Sequence, residues 1–312
     1  MYDIIGDIHG HYGKLERLLV KLGYEHNGVY WVPPHGRKAV FIGDLIDRGP
    51  EQIKVVMAVR AMMERGHAYC ILGNHELNAI GFATPHPDDY FARIRPRSEK
   101  NRAQHQTFLD QVGEDSDLHR EMVEWFRTLP VYLELEGIRV VHAMWDESYL
   151  NDVICHAFGR GGINNHQLCY ALDKTAWKGG PHPLYHALDG LCKGREIDLP
   201  EGAHFTDHNG HTRKQARIKW WKHDAKFMHE VAIVEGAMPE SLLWKPIPTD
   251  LLLEPISGTP IFIGHYWMKG TPSILSPKVA CVDYSAGKGG PLVAYRWNGE
   301  SELQNSGFIA SN

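Results

Sequence analysis

The chain has 312 residues, a formal net charge of −5, 43% hydrophobic residues and 23% charged residues. Such a composition belongs to a folded globule long enough to bury a sizeable core, and it excludes disordered and fibrous chains. The mild negative charge excludes a global basic field for nucleic acid or anionic lipid, so any phosphate binding must come from local groups.

The N-terminal "MYDIIGDIHG" has neither a basic leader nor a long apolar run, and no stretch reaches the roughly 18 apolar residues of a membrane span. The five cysteines form an odd set without CxxC spacing, which predicts free thiols and a cytoplasmic, reducing environment.

In chain order, "YDIIG" reads as a buried strand that ends in Asp7 and His9. Leu15, Leu18, Leu19 and Leu22 then fall on one helical face, with Gly23 at the C-terminal cap position. "AVFIG" is a second strand, ending in Asp44 and the loop that carries Asp47 and Arg48. A helix between Pro50 and Gly66 follows, with Ile53, Val56, Met57 and Ala61 as its expected inner face. "AYCILG" ends in Asn74-His75-Glu76, "IRVV" in His142 and "IFIG" in His265. Strands alternating with helices predict an α/β sheet, whose functional groups gather beyond the carboxyl ends of its strands. In four of these five runs a glycine precedes the polar residue, which lets the backbone turn sharply at the tip.

The donors so collected are Asp7, His9, Asp44, Asn74, His142 and His265: two carboxylates, three imidazoles and an amide, with no thiolate. Mixed oxygen and nitrogen ligands suit manganese, iron, zinc or cobalt, with manganese the leading expectation. Six ligands exceed one open four-coordinate site and suit two ions, with Asp44 as the bridge. Two divalent ions less two aspartates leave a double positive charge, which matches a phosphate monoester dianion. A hydroxide between the ions lowers that charge and Arg48 restores it, gripping phosphate through its fork of donors. His75 is the expected general acid for the leaving oxygen, with Asp47 holding its ring; a helix N-cap is the competing role for Asp47. Glu76 reads as structural.

"GDIHG" at 6–10, "GDLIDRG" at 43–49 and "GNHE" at 73–76 resemble the signature blocks of the calcineurin-like metallophosphoesterases. Their wording resembles the phosphoprotein phosphatase branch, with its bacterial serine/threonine phosphatase and diadenosine tetraphosphate hydrolase relatives. The resemblance covers roughly residues 1–145 and 258–297. It implies two facing mixed β-sheets flanked by helices, an α/β/β/α sandwich. It also implies one ion on Asp7, His9 and Asp44, and a second on Asp44, Asn74, His142 and His265. Two blocks depart from the wider pattern. "GHYW" puts Trp267 where many members have a second histidine, and "VVHAMWD" surrounds His142.

Residues 146–257 separate His142 from His265 by far more than a crossover needs and read as a covering insertion within a single domain, 1–312. Within it, Arg213, Lys214, Arg217, Lys219 and Lys222 surround Trp220 and Trp221. Two readings stand: a phosphate clamp with a stacking platform, or a solvated basic face over core tryptophans. Arg160, Arg195, Arg213 and Arg217 are equal candidates for the second substrate arginine that the resemblance implies. "RIRPRSEKNR" at 93–102 reads as a solvated loop. Asp283 is either a site residue, as in related polynucleotide-end phosphatases, or a turn residue.

The resulting expectation is a dinuclear metal-dependent hydrolase of phosphate monoesters, on phosphoprotein or small phosphorylated substrates, through metal-bridging hydroxide. Symmetrical dinucleoside polyphosphate hydrolysis and polynucleotide-end dephosphorylation are the enzymatic alternatives. A phosphate or nucleotide sensor is the non-enzymatic one. The partner is a phosphorylated substrate; no membrane is expected, and the net charge gives no indication of nucleic acid.

Overall fold

A computed structural model describes residues 1–154, 165–176, 180–206, 210, 212–251 and 255–312. Two compact units appear: Met1–Lys193 with Thr259–Asn312, and Gly194–Gly258.

The larger unit holds two mixed sheets. Strands β1 (Tyr2–Ile5), β2 (Lys38–Phe41) and β3 (Ala68–Cys70) are joined by α1 (Tyr12–Lys21) and α2 (Gln52–Glu64). After α3 (Asn74–Ala83), α4 (Glu99–Val112) and α5 (Asp117–Arg127) come β4 (Tyr132–Leu135) and β5 (Ile138–Val141). The chain later adds β6 (Ile261–Ile263), β7 (Val279–Cys281), β8 (Val293–Trp297) and β9 (Phe308–Ala310). The first sheet runs β9-β8-β1-β2-β3, with β1, β2 and β3 parallel and β8 antiparallel to β1. The second runs β7-β6-β5-β4, with β5, β6 and β7 parallel and β4 antiparallel to β5.

The sheets face each other across one core. Ile4, Val40, Ile42 and Ile71 from the first pack with Ile138, Val140, Phe262, Ala280 and Val282 from the second. These strands are apolar on both faces because one face meets the other sheet and the other meets helices. The parallel strands of both sheets end on the same functional groups, so the sandwich gathers five distant segments at one end. At the opposite end of β1, buried Asp3 is held by Arg37 at 2.9 Å and Arg296 at 2.8 Å, so its charge is spent on structure.

Helix α1 buries Leu15, Leu18 and Leu19 as its spacing predicts. Helix α2 is rotated from the expected face: it buries Gln52, Val55, Val56, Val59 and Met62, while Met57 is exposed. Gln52 lies on this face, and its side chain turns inward to accept from Asp47 N at 2.7 Å and to donate to Gly49 O at 2.5 Å. Val55, Val59 and Met62 form an apolar stripe on that face, at helical spacing. The "RIRPRSEKNR" stretch is also more than a solvated loop, since Arg97 pairs with Glu114 and Asp115 and Arg102 with Glu114.

The helices Asn165–Leu172 and Pro183–Lys193 belong to the larger unit, and Ala143 N donates to Leu191 O at 2.8 Å. The smaller unit is built on a three-stranded sheet of Glu196–Asp198, Gln215–Ile218 and Ala232–Ile233. Trp220 and Trp221 are 3% and 5% exposed there, which corrects the stacking-platform reading: both rings are buried.

Candidate metal centre

Asp7 lies two residues beyond β1, Asp44 three beyond β2, Asn74 four beyond β3, His142 directly after β5 and His265 two beyond β6. All are buried. The backbone at these tips is unusual: His9, Asp44, Asp47, Arg48, His265, Trp267 and Ser285 all have positive φ, between 47° and 72°. Non-glycine residues adopt this conformation at a cost, and it concentrates where a site over-determines the chain.

Two glycines show how tightly the tips meet. A Cβ on Gly73 would fall 2.2 Å from Asp44 Oδ1, and one on Gly264 would fall 2.3 Å from Asp7 Oδ1. Only a bare backbone allows either carboxylate its place.

Glu76, the first-turn acid of α3, explains the shape of the Asp44 loop. Its Oε2 accepts from Asp44 N at 2.8 Å and Gly73 N at 3.0 Å. Its Oε1 accepts from Leu45 N at 2.8 Å and Ile46 N at 3.3 Å. Burial, followed by the nearby Asp44, pushes this carboxyl up to about 7.

Two His/Asp groups each bring their donor atoms within 4.8 Å of one another: His9, Asp44 and His75, and Asp44, His142 and His265. Asp44 belongs to both. His9 Nε2 is 3.6 Å from Asp44 Oδ2, and His142 Nε2 is 3.4 Å from Asp44 Oδ1. Asn74 Oδ1 lies 2.8 Å from His265 Nδ1 and 3.3 Å from His142 Nε2. Donors at right angles around an ion with bonds near 2.1 Å stand about 3 Å apart, so this spacing matches a ligand cage.

The ring tautomers agree with that chemistry. His9 Nδ1 donates to Ile46 O at 2.8 Å and His142 Nδ1 to Ile42 O at 2.7 Å, which turns each Nε2 toward Asp44. Such backbone contacts orient imidazoles for a metal. Asp7 Oδ1 and His9 Nε2 are buried without a hydrogen-bond partner among the described residues. Burial and then the adjacent Asp283 drive the Asp7 carboxyl well above its ordinary range. Asp7 Oδ2 accepts from His265 N at 3.1 Å, which leaves one carboxylate oxygen and one imidazole nitrogen that a cation would satisfy.

Asp47 and His75 sit beside this cage. His75 Nδ1 is 2.5 Å from Asp47 Oδ2, and its Nε2 is 3.9 Å from Asp44 Oδ2. Burial opposes a charged ring, but Asp44 and the Asp47 hydrogen bond outweigh it and raise the His75 pKa. Asp47 caps no helix here: Glu51 occupies the N-cap position of α2. Sequence reasoning missed His105, whose Nδ1 reaches the other Asp47 oxygen at 2.7 Å. The ring comes from the middle of α4, and nothing in "AQHQT" marks it.

The Arg48 side chain is exposed and stacks over Trp267, with Cζ 4.2 Å from the ring centre. Its backbone N–H donates to Thr107 Oγ1, while its guanidinium makes no hydrogen bond or ion pair among the described residues. Asp283 is buried and takes its contacts from backbone: Trp267 N at 2.7 Å and Ser285 N at 2.9 Å. It anchors two left-handed residues flanking the cage. Arg195, Arg213 and Arg217 fall in the smaller unit, and Arg160 lies outside the described residues. Cys70, Cys169, Cys192 and Cys281 are unpaired and buried, Cys155 lies outside the described residues, and no described helix is long and apolar enough to cross a membrane.

Comparison with known proteins agrees with this geometry. The chain is 33% identical over 141 residues to a bis(5'-nucleosyl)-tetraphosphatase PrpE, asymmetrical type, from Geobacillus sp. (strain WCH70), covering 45% of this chain and 55% of that one. It is 46% identical over 74 residues to the protein of the same name from Halalkalibacterium halodurans, covering 24% and 30%. The matched region thus spans about half or less of the length of these relatives. Among solved structures, a cold-active protein-tyrosine phosphatase from a psychrophilic Shewanella species shares the fold. It has a TM-score of 0.52 at 17% identity, covering 100% of this chain and 80% of that one. Residues 2–160, the half that carries four of the five strand tips, match the calcineurin-like phosphoesterases, and the chain belongs to that family.

Proposed function

We propose that this chain hydrolyses phosphate esters with two divalent ions, manganese being the first to test. Asp7, His9 and Asp44 would hold one ion; Asp44, Asn74, His142 and His265 would hold the other. The observation that carries this reading is Asp44, which touches both donor groups from its two oxygens. When bound, such a pair supplies an activated water and polarises phosphoryl oxygens.

The remaining steps fall to side chains. Arg48 offers an unspent guanidinium beside the cage and would grip equatorial phosphate oxygens. Trp267 holds that guanidinium by cation–π contact, which limits its wandering between turnovers. His75 would present a protonated Nε2 to the leaving oxygen, while Asp47 fixes its tautomer through Nδ1. The buried, unpaired thiols suit the cytoplasm as the site of action.

For substrate, phosphate monoesters fit the charge balance. The tetraphosphatase names of the curated relatives favour a second reading, dinucleoside polyphosphates cleaved asymmetrically. The deciding assay uses chelator-stripped protein, with and without Mn²⁺, on p-nitrophenyl phosphate, a phosphoserine peptide and diadenosine tetraphosphate. Turnover should vanish on stripping and return with metal, and full activity without metal would refute the proposal. Formation of ATP and AMP from the dinucleotide selects the second reading.

A further inference from the structure

The carboxylate of Asp47 is gripped from both sides. His75 Nδ1 is 2.5 Å from Oδ2 and His105 Nδ1 is 2.7 Å from Oδ1, and all three residues are buried. A carboxylate has only acceptors to offer, so both imidazoles carry hydrogen on Nδ1. His105 arrives from α4, 58 residues along the chain from Asp47.

Its ring is fixed by packing. Phe82 of α3 stands edge-on with centroids 5.4 Å apart, and Phe108 lies 4.9 Å away. Helix α3 begins at Asn74 and His75, so the helix that carries His75 also walls in His105. Other residues of α4 brace the rest of the loop. Thr107 Oγ1 accepts from Arg48 N at 2.9 Å, Gln111 Oε1 accepts from Gln52 N at 2.9 Å, and Gln111 Nε2 donates to Pro50 O at 2.7 Å.

We infer that His105 is a positioning residue for the leaving-group acid: by holding Oδ1 of Asp47 it aims Oδ2 at His75, making a His105–Asp47–His75 chain. This rests on the proposed acid role of His75. The chain ends at His105. Its Nε2 is buried without a hydrogen-bond partner among the described residues, and Phe82 and Phe108 stand against the ring. In this proposal His105 holds geometry and does not relay a proton. An imidazole serving only as packing would not need its Nδ1 at 2.7 Å from a buried carboxylate, where it meets an obligatory acceptor.

The experiment has two arms on the full chain. In zinc-loaded protein, proton NMR should show downfield imidazole N–H signals that include one from each histidine on Asp47, beside those of His9 and His142 on backbone carbonyls. His105→Asn should remove one of the Asp47 pair and leave the other, because the Asn amide can still donate near the Nδ1 position. His105→Leu should also move the survivor. An unmoved His75 signal in the leucine variant overturns the proposal whether or not the protein turns over any ester.

In the second arm, manganese-loaded variants are compared on p-nitrophenyl phosphate, a good leaving group, and O-phosphoserine, a poor one. General acids contribute roughly 10²–10⁴-fold, so His105→Leu should lower kcat on phosphoserine by about 30-fold, against about threefold on the nitrophenyl ester, with KM held within about twofold. His105→Asn should recover most of that loss. In a His75→Ala background, adding His105→Leu should change kcat by less than about twofold, because residues acting as one unit are not additive. Equal losses on both esters, or independent multiplication of the two mutations, overturn the proposal. If the leucine variant does not fold, His105→Gln replaces it in both arms, since it places its donor one bond further out. Equal kcat and spectra for the Asn and Gln variants then overturn it. A wild-type chain inactive with every metal sinks the hydrolase reading instead, and the NMR arm still decides on His105.

Discussion

Glu76→Ala removes an acceptor from four backbone N–H groups at once, those of Gly73, Asp44, Leu45 and Ile46. All four donors belong to buried residues. Burial and the nearby Asp44 push the Glu76 carboxyl up to about 7, while N–H donors on both of its oxygens favour the ionised form, so the substitution removes acceptors and a buried charge together. A stranded buried donor costs about 1–3 kcal/mol, and water entering the vacated space recovers part of it, so about 4 kcal/mol is expected. Unfolding entropy for a unit of this size is on the order of 0.5 kcal/mol/K, which converts that loss to about 8 °C in Tm. The assay is calorimetry on chelator-stripped protein, so that metal binding does not mask the effect. Asp44, released from its left-handed conformation, should also lose metal, read by elemental analysis after dialysis. A variant that melts within about 2 °C of the parent, with parental metal content, would refute the account of Glu76 as the scaffold of the Asp44 loop.

Gly264→Ala places a methyl against Asp7 Oδ1, where the ideal Cβ is 2.3 Å away. Metal content should fall to about one ion per chain with little change in fold; retention of both ions would remove Asp7 from the ligand set. Arg48→Lys keeps the charge but loses the planar fork. Because the guanidinium has no hydrogen bond among the described residues to lose, stability should stay within about 0.5 kcal/mol while KM for p-nitrophenyl phosphate rises about tenfold, and an unchanged KM would argue that Arg48 does not meet the phosphate.

The tips were legible because each followed an apolar run of strand length, and in four of the five, all but His142, a glycine came immediately before the metal-capable side chain. Asp44, read as the expected bridge from its position between the other donors, lies in both His/Asp groups, and the two-sheet fold followed from the family resemblance of those same blocks. What stayed hidden depends on partners remote in sequence. His105 sits in an ordinary amphipathic stretch, and its importance comes from Asp47, which its own neighbours do not announce. On α2 a second apolar stripe, Val55, Val59 and Met62, faces inward with Gln52, and the expected face was one of two that the spacing allowed. The tryptophans of the smaller unit illustrate the reverse problem, since basic neighbours suggest an exposed platform while the rings lie in the core. Composition alone cannot say which side of a strand faces inward.

The shared position of Asp44 has a mechanical consequence. It hangs from one sheet, whereas His142 and His265 hang from the other. Under the proposed metal reading, a cation seated among them would work as a rivet through the sandwich: the sheets could not slide past each other without breaking coordination. Occupancy and sheet registry thereby become one equilibrium, and the melting temperature should climb with the logarithm of free metal concentration once that concentration exceeds the dissociation constant.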